Sequence, residues 1–293
     1  MTEAIRHYQA RMRRVLDYID AHLEQDLNVE VLSAVAAFSR FHFQRQFTAL
    51  FGLSPHRYVQ LLRMKRASYR LAYRPGDSIT EIALDSGYES PEAFSRVFRQ
   101  RLGQSPGDFR KAPDWAALQD MTQSGTQIRG IFMSAKPELD QVRIIDFPHT
   151  PVAVLTHHGA PERLGGSLRN FIAWRKQMKL APAVSATFNI LHADPLNCEP
   201  EDYRIALCAA TDQPVTANEF GIVADAIPAG SCAVLRHIGV NDSLRDAVAF
   251  LYTDWLPQSG KDMRDYPIFV QRVRFFPDAP EHEAVVDIFL PLK

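Results

Sequence analysis

Phe43-Gln44-Arg45-Gln46-Phe47 returns 51 positions later as Phe94-Ser95-Arg96-Val97-Phe98. The register extends on both sides. Gly52-Leu53-Ser54-Pro55 recurs as Gly103-Gln104-Ser105-Pro106, Tyr58 is answered by Phe109, and Val29-Glu30-Val31 lies over Thr80-Glu81-Ile82. In each copy two phenylalanines stand four apart with mostly polar residues between them, the spacing of a helix that buries one face. A duplicated unit of this kind presents two similar surfaces to a ligand that is itself periodic, and duplex DNA is the natural candidate.

The flanking residues supply helix boundaries. Met12, Val15, Leu16, Ile19 and Leu23 form one apolar face over 10–23. Asn28 caps a helix over 29–36, and Ser39 opens another over 40–51 that Gly52 ends. Ser54-Pro55 starts a long helix to about residue 73, broken by Pro75-Gly76-Asp77. The cycle then repeats: Ser78-Ile79-Thr80-Glu81 has capping-box form, Gly87 suits a turn, Ser90-Pro91 opens a helix ending at Gly103, and Ser105-Pro106 starts a short last one. The expectation is an all-α N-terminal domain with two helix-turn-helix units joined by a long helix. That connecting helix spans roughly 28 Å, comparable with the ~34 Å between major-groove faces on one side of B-DNA.

Gly87-Tyr88-Glu89-Ser90-Pro91-Glu92-Ala93-Phe94-Ser95-Arg96-Val97-Phe98-Arg99, with Gly103 and Ser105-Pro106-x-x-Phe109-Arg110 behind it, resembles the signature of AraC/XylS-type transcriptional regulators. The resemblance covers about residues 8–112. It implies that the third and sixth helices enter successive major grooves, with Arg40, Phe41, Gln44 and Arg45, then Ser90, Glu92, Ser95 and Arg96, at the base-facing positions. Their chemistry fits: Arg grips guanine O6 and N7, Gln grips adenine N6 and N7, and Ser suits phosphate. Glu92 accepts from cytosine N4 but repels phosphate. Phe43, Phe47, Phe94 and Phe98 are expected in the core. Arg63, Arg66, Arg70 and Arg74 make a basic stripe on the connecting helix, for which local ion pairs or a solvated face are favoured over phosphate contact.

Bulk properties agree. The 293 residues allow two domains, and 46% hydrophobic with 23% charged residues argues against disorder. Through residue 112 there are 17 Lys and Arg against 12 Asp and Glu, and beyond it 16 against 22, so a basic head precedes an acidic remainder. No apolar run spans a bilayer and the first 14 residues lack an apolar core, so neither membrane nor secretion is expected. Cys198, Cys208 and Cys232 form no pair at metal or redox spacing and read as reduced cytoplasmic thiols.

A linker is expected over 113–140, with 123–127 its most flexible-looking part, and a second domain over 141–293. Ala153-Val154-Leu155-Thr156-His157-His158-Gly159 matches Ala233-Val234-Leu235-Arg236-His237-Ile238-Gly239 at an offset of 80, each followed by Ser-Leu-Arg at 167–169 and 243–245. Two pseudo-symmetric strand-helix-strand modules in an α+β domain follow, with a groove between them suited to a small molecule. His192-Ala193-Asp194-Pro195, Pro200-Glu201-x-Tyr203-Arg204, Arg236-His237-x-Gly239, Trp255-Leu256-Pro257-x-Ser259-Gly260 and Asp287-Ile288-Phe289-Leu290-Pro291-Leu292 look like the GyrI-like effector-binding domain, and the whole resembles the Rob-like arrangement. Where that family often has an acid three positions after a proline and an aromatic two beyond, this chain has Val270 and Arg272. The change argues against a cationic ligand and against hydrolytic chemistry.

Phe171, Trp174, Phe188, Tyr252, Trp255, Phe269 and Val270 are the expected effector contacts, with ordinary core packing the alternative for Phe171, Trp174 and Trp255. No phosphate loop, metal-ligand set or nucleophile with its base is present, and His157, His158 and His237 read as structural. The reading is a cytoplasmic transcriptional regulator, not an enzyme, without cofactor or metal. Its expected partners are double-stranded promoter DNA, RNA polymerase and an apolar or amphipathic effector. The competing readings are a GyrI-like hydrolase or drug-binding protein targeted by a DNA-binding domain, and a nucleoid-type or gyrase-protecting protein.

Overall fold

In the computed structural model the described residues are 3–118, 120–122, 137–194, 198–239, 243–275, 279 and 283–293. The stretch 123–127 lies outside them. The chain divides into two compact units, one formed by the described residues up to 122 and the other by those from 137 onward.

The first unit is all helical: α1 (Glu3–Ala21), α2 (Val29–Val35), α3 (Arg40–Phe51), α4 (Pro55–Tyr73), α5 (Ile79–Asp85), α6 (Pro91–Leu102) and α7 (Pro106–Lys111). The caps lie where the sequence puts them. Asn28, Ser39, Ser54, Ser78, Ser90 and Ser105 each accept a hydrogen bond from a backbone amide three residues on, and Glu81 closes the capping box with Ser78. Gly52 and Gly103 end α3 and α6 in the left-handed region. The phenylalanines are core: Phe43, Phe47 and Phe51 pack with Tyr58, and Phe94 and Phe98 with Phe109, with ring centroids 4.3–5.6 Å apart along these runs. Each such burial contributes about 1.5–3 kcal/mol. Beyond α7, Trp115 stacks on Tyr73 at 5.4 Å and Leu118 joins the same core, so this part of the expected linker is packed.

The offset of 51 holds for α3 and α6 but falls to 50 upstream: Asn28 matches Ser78, and buried Leu32 matches buried Ile82. The second turn is therefore one residue longer than the first. Both turns need a left-handed residue, supplied by Gly87 at φ 75° and by Ala37 at φ 52°. Only glycine adopts that region without penalty. Ala37→Gly is accordingly expected to raise stability by about 0.5–1 kcal/mol, measured by denaturant unfolding. At Gly87 a Cβ would also collide with Arg63 Nη1. Arg63 is a strut from α4, donating to the Leu23 and Gln25 carbonyls at 2.8 and 2.6 Å.

The second unit is one antiparallel eight-stranded sheet with helices on one face. Its strands are β1 (Val142–Phe147), β2 (Thr150–His158), β3 (Thr187–Leu191), β4 (Arg204–Ala210), β5 (Val223–Ile227), β6 (Gly230–Ile238), β7 (Phe269–Arg274) and β8 (Val285–Pro291), in the order β1-β6-β8-β7-β3-β4-β2-β5. The order reads the same from either end once the repeats are exchanged. Each repeat is β-β-α-β-β, and each gives its first strand to the other half, β1 pairing with β6 and β5 with β2. The first helix is Leu164–Gln177; the second is Leu244–Phe250, running through a π turn (Leu251–Trp255) into Leu256–Ser259. At the centre Asn189 pairs with Val270 and Phe188 with Gln271. Asn189 and Val270 are also repeat mates, 81 apart like Phe188 and Phe269, so the pseudo-dyad passes through this pair.

Candidate DNA-reading helices and effector groove

On α3 a polar face opposes the core. Arg40, Phe41, Gln44 and Arg45 are exposed, whereas Phe43, Phe47 and Phe51 are buried. Phe41 stands 84% exposed, which is costly for an aromatic that has nothing to cover. Its ring suits a thymine methyl, as Gln44 and Arg45 suit adenine and guanine edges. Arg40 is held by Glu30 of α2 at 2.6 Å. That hydrogen bond, with one from the backbone, keeps the Glu30 carboxyl below its usual range. The carboxylate competes with DNA for Arg40 and repels phosphate. Glu30→Gln is expected to tighten DNA binding roughly two- to fivefold in a mobility-shift titration.

On α6, Arg96 and Glu92 are exposed and Ser90 and Ser95 are half-buried. Ser90 is engaged as the cap, accepting from the Ala93 amide at 3.2 Å. Glu92, in the first turn, is drawn below the ordinary carboxyl range by a backbone amide and by Ser90. Two of the four positions thus serve the helix start, leaving Arg96 and Ser95 as the side chains free of that duty. The α4 stripe is bound locally: Arg63 to backbone, Arg66 to Glu24, and Arg70 to Asp77 and Asp85 at 2.7 and 2.6 Å.

In the second unit the seven effector candidates fall on two faces of the sheet. Phe171 and Trp174 pack under the first helix with Ala153, Leu155 and Leu207. Trp255 and Val270 pack under the second with Leu235 and Ile288. Tyr252 is the most open of them, 37% exposed. Phe188 and Phe269 point the other way, into a cluster with Phe147 and Phe289 in which Phe269 and Phe289 stack at 4.8 Å. The seven therefore do not form one wall. Successive strand residues alternate faces, so Phe269 and Val270 cannot share one. Trp174 also borders a cleft of about 290 Å³ with Met178, Val215 and Phe220.

His157 Nε2–H donates to the Gly159 carbonyl at 3.1 Å, leaving Nδ1 to accept from the Ser167 hydroxyl at 2.8 Å. Its mate His237 meets Ser243 at 3.0 Å, so each histidine ties a strand end to a helix start. On the helix face Asn189 escaped the sequence reading, and Tyr203 and Arg272 were read only as family positions. Arg272 Nε donates to Asn189 Oδ1 at 2.9 Å.

The family of GyrI-like small molecule binding domains matches residues 140–293, more than half the chain. The chain belongs to the GyrI-like family. A helix-turn-helix domain matches residues 32–112. This GyrI-like chain thus joins an AraC-type DNA-binding domain to a small-molecule-binding domain, and it is a transcriptional regulator. Among its relatives, the probable transcriptional regulator YgiV of Escherichia coli K12 is 36% identical over 152 residues, 52% of this chain and 95% of YgiV. The transcriptional regulator Rob of Salmonella typhimurium is 28% identical over 156 residues, 47% of this chain and 52% of Rob. Among solved structures, the EcmrR C-terminal domain aligns with TM-score 0.43 and 18% identity, covering 52% of this chain and 96% of that domain. Among the described residues no helix is long and apolar enough to cross a membrane.

Proposed function

We propose that the GyrI-like chain reads an asymmetric promoter site through α3 and α6 in successive major grooves, and that an effector in its second unit changes promoter affinity or contact with RNA polymerase. The observation that supports this most directly is the pair of α3 and α6, each with a buried phenylalanine edge and an outward polar one. Arg40, Phe41, Gln44 and Arg45 carry most of the reading, and Arg96 with Ser95 the remainder, while Ser90 and Glu92 set the second helix in place. Because the two helices bear different side chains, one monomer reads a site without a palindrome. The effector acts by preferring one of two states of the chain, so its influence on DNA affinity equals the influence of DNA on its own binding. The chain does this in the cytoplasm, without catalysis and without a cofactor. A random-site selection on purified protein is expected to return one defined, asymmetric motif. Recovery of unrelated sequences with equal affinity would overturn the proposal and favour a nucleoid-type role.

A further inference from the structure

One face of α4 changes its neighbour halfway along. Arg57, Gln60, Leu61, Met64, Ser68 and Leu71 recur at three- and four-residue spacings and so share a stripe. Met64, Ser68 and Leu71 are fully buried, the first and last of them in one cluster with Phe94 and Phe98 of α6. Arg57, Gln60 and Leu61 lie before that core begins, and beside them a cleft of about 920 Å³ opens within the first unit. Its other walls are Tyr88, Val97 and Arg101, on and before α6, and Ala117 and Met121 from the helical residues 115–118 and 120–122. Trp115 anchors that last wall on Tyr69 and Tyr73, with ring centroids 5.6 and 5.4 Å away. Walls held by packing in this way lower the ordering cost of a ligand.

The lining is divided in character. Leu61, Val97, Ala117 and Met121, with Leu53, give an apolar wall, and Arg57 and Arg101 bring two positive charges against the single carboxylate of Asp120. Arg101 Nη2 donates to Gln60 Oε1 at 2.7 Å, so a neutral amide orients the guanidinium and leaves its charge in place. Elsewhere in this unit Arg40, Arg66 and Arg70 meet Glu30, Glu24, Asp77 and Asp85 at 2.5–2.7 Å. Among the described residues no carboxylate pairs with Arg57 or Arg101, and Asp120, on the same lining, reaches neither. The Tyr88 phenol is close enough for Arg101 to act on it electrostatically, which puts a hydroxyl donor beside the guanidinium. Arg101 stands five residues from base-facing Arg96, about 140° round α6, and is tied to α4. The cleft and the DNA-reading surface are therefore different faces of the same helix.

We propose that this cleft between α4 and α6 is a ligand site in the DNA-binding unit itself, taking an amphipathic organic anion whose carboxylate meets Arg101 and Arg57 and whose apolar body lies along Leu61, Val97 and Met121. A guanidinium fork binds a carboxylate through two parallel hydrogen bonds, and the excess of positive charge turns cations away. The volume is that of an ordinary small-molecule site. Every lining residue belongs to the first unit, so the inference stands apart from the effector reading of the second.

The test uses full-length protein and two probes with the same apolar body and opposite charge, 4-(naphthalen-2-yl)butanoate and [3-(naphthalen-2-yl)propyl]trimethylammonium, titrated by calorimetry. The carboxylate is expected to bind and the cation to bind at least roughly tenfold more weakly. Joint replacement Arg57→Gln and Arg101→Gln removes both charges from side chains that lie outside the buried cores. It should weaken carboxylate binding roughly tenfold or more, whereas Arg57→Lys with Arg101→Lys should keep the preference for the anion. Should the second unit take the same acid, the isotherm holds two sites and the glutamine variant removes one. An unchanged isotherm in that variant, equal binding of the two probes at the site it removes, or no binding of the carboxylate to wild type would each overturn the assignment. An unchanged isotherm together with weaker binding to duplex DNA would assign the two arginines to phosphate instead.

Discussion

Phe98→Ala is expected to destabilise the first unit by about 3–5 kcal/mol, and with it to abolish DNA binding. Phe98 is fully buried, tilted against Phe94 at 5.3 Å and edge-on to Phe109 at 5.4 Å. Removing the ring leaves a cavity that α6 and α7 cannot close, since Ser90 and Ser105 fix both helix starts. Phe109 touches Trp115 at 5.7 Å, so indole fluorescence reports the loss directly in a denaturant titration. Phe41→Ala is the matching control: the ring is exposed, so stability should stay within about 0.5 kcal/mol of wild type while DNA affinity falls. Equal stability of Phe98→Ala and Phe41→Ala would mean that the second helix-turn-helix is not packed as described.

Gln44→Ala and Arg45→Ala are each expected to weaken specific DNA binding by about 1–3 kcal/mol, the cost of losing a two-pronged contact to a base edge. Both side chains are exposed on α3, so truncation leaves the core untouched. A mobility-shift titration over a salt series separates the possible contacts. Loss of a base contact lowers affinity for the selected site and relaxes preference at one position. Loss of a phosphate contact lowers affinity for all sequences and reduces the salt slope by about one. Wild-type affinity in both variants would remove α3 as the principal reader.

The helical unit was legible because its signals are local. A serine or asparagine at each helix start and a phenylalanine every fourth residue need no knowledge of the rest of the chain, and Ser39, Ser54, Ser78 and Phe47 all take the expected parts. The slip of one residue between Asn28 and Ser78 was hidden because α2 and α5 are only seven residues long. Two apolar positions in so short a helix tolerate either register, and the deciding left-handed residue, Ala37, carries no compositional flag. In the sheet the repeat was visible at Ala153–Gly159 and Ala233–Gly239, since both stretches open on buried strand residues, Ala153 to Leu155 and Ala233 to Leu235, but the faces were not. Phe188 and Phe269 were grouped with Trp255 by residue type, and only the pairing of β3 with β7 fixes which way each one points. Arg272 was legible only as a departure from the family pattern for a related reason: its contact is with Asn189, 83 residues away.

The exchange of first strands between the repeats has a consequence for biogenesis. β1 finds its place only beside β6, some ninety residues downstream, and β8, the last strand, is flanked on both sides, by β6 and β7. Contacts this distant in sequence make assembly slow, and β6 cannot be joined to β7 before β8 has been made to lie between them. The helical head, whose contacts are near neighbours, is complete long before. A nascent chain therefore grips DNA, if at all, during an interval in which its sensor does not yet exist.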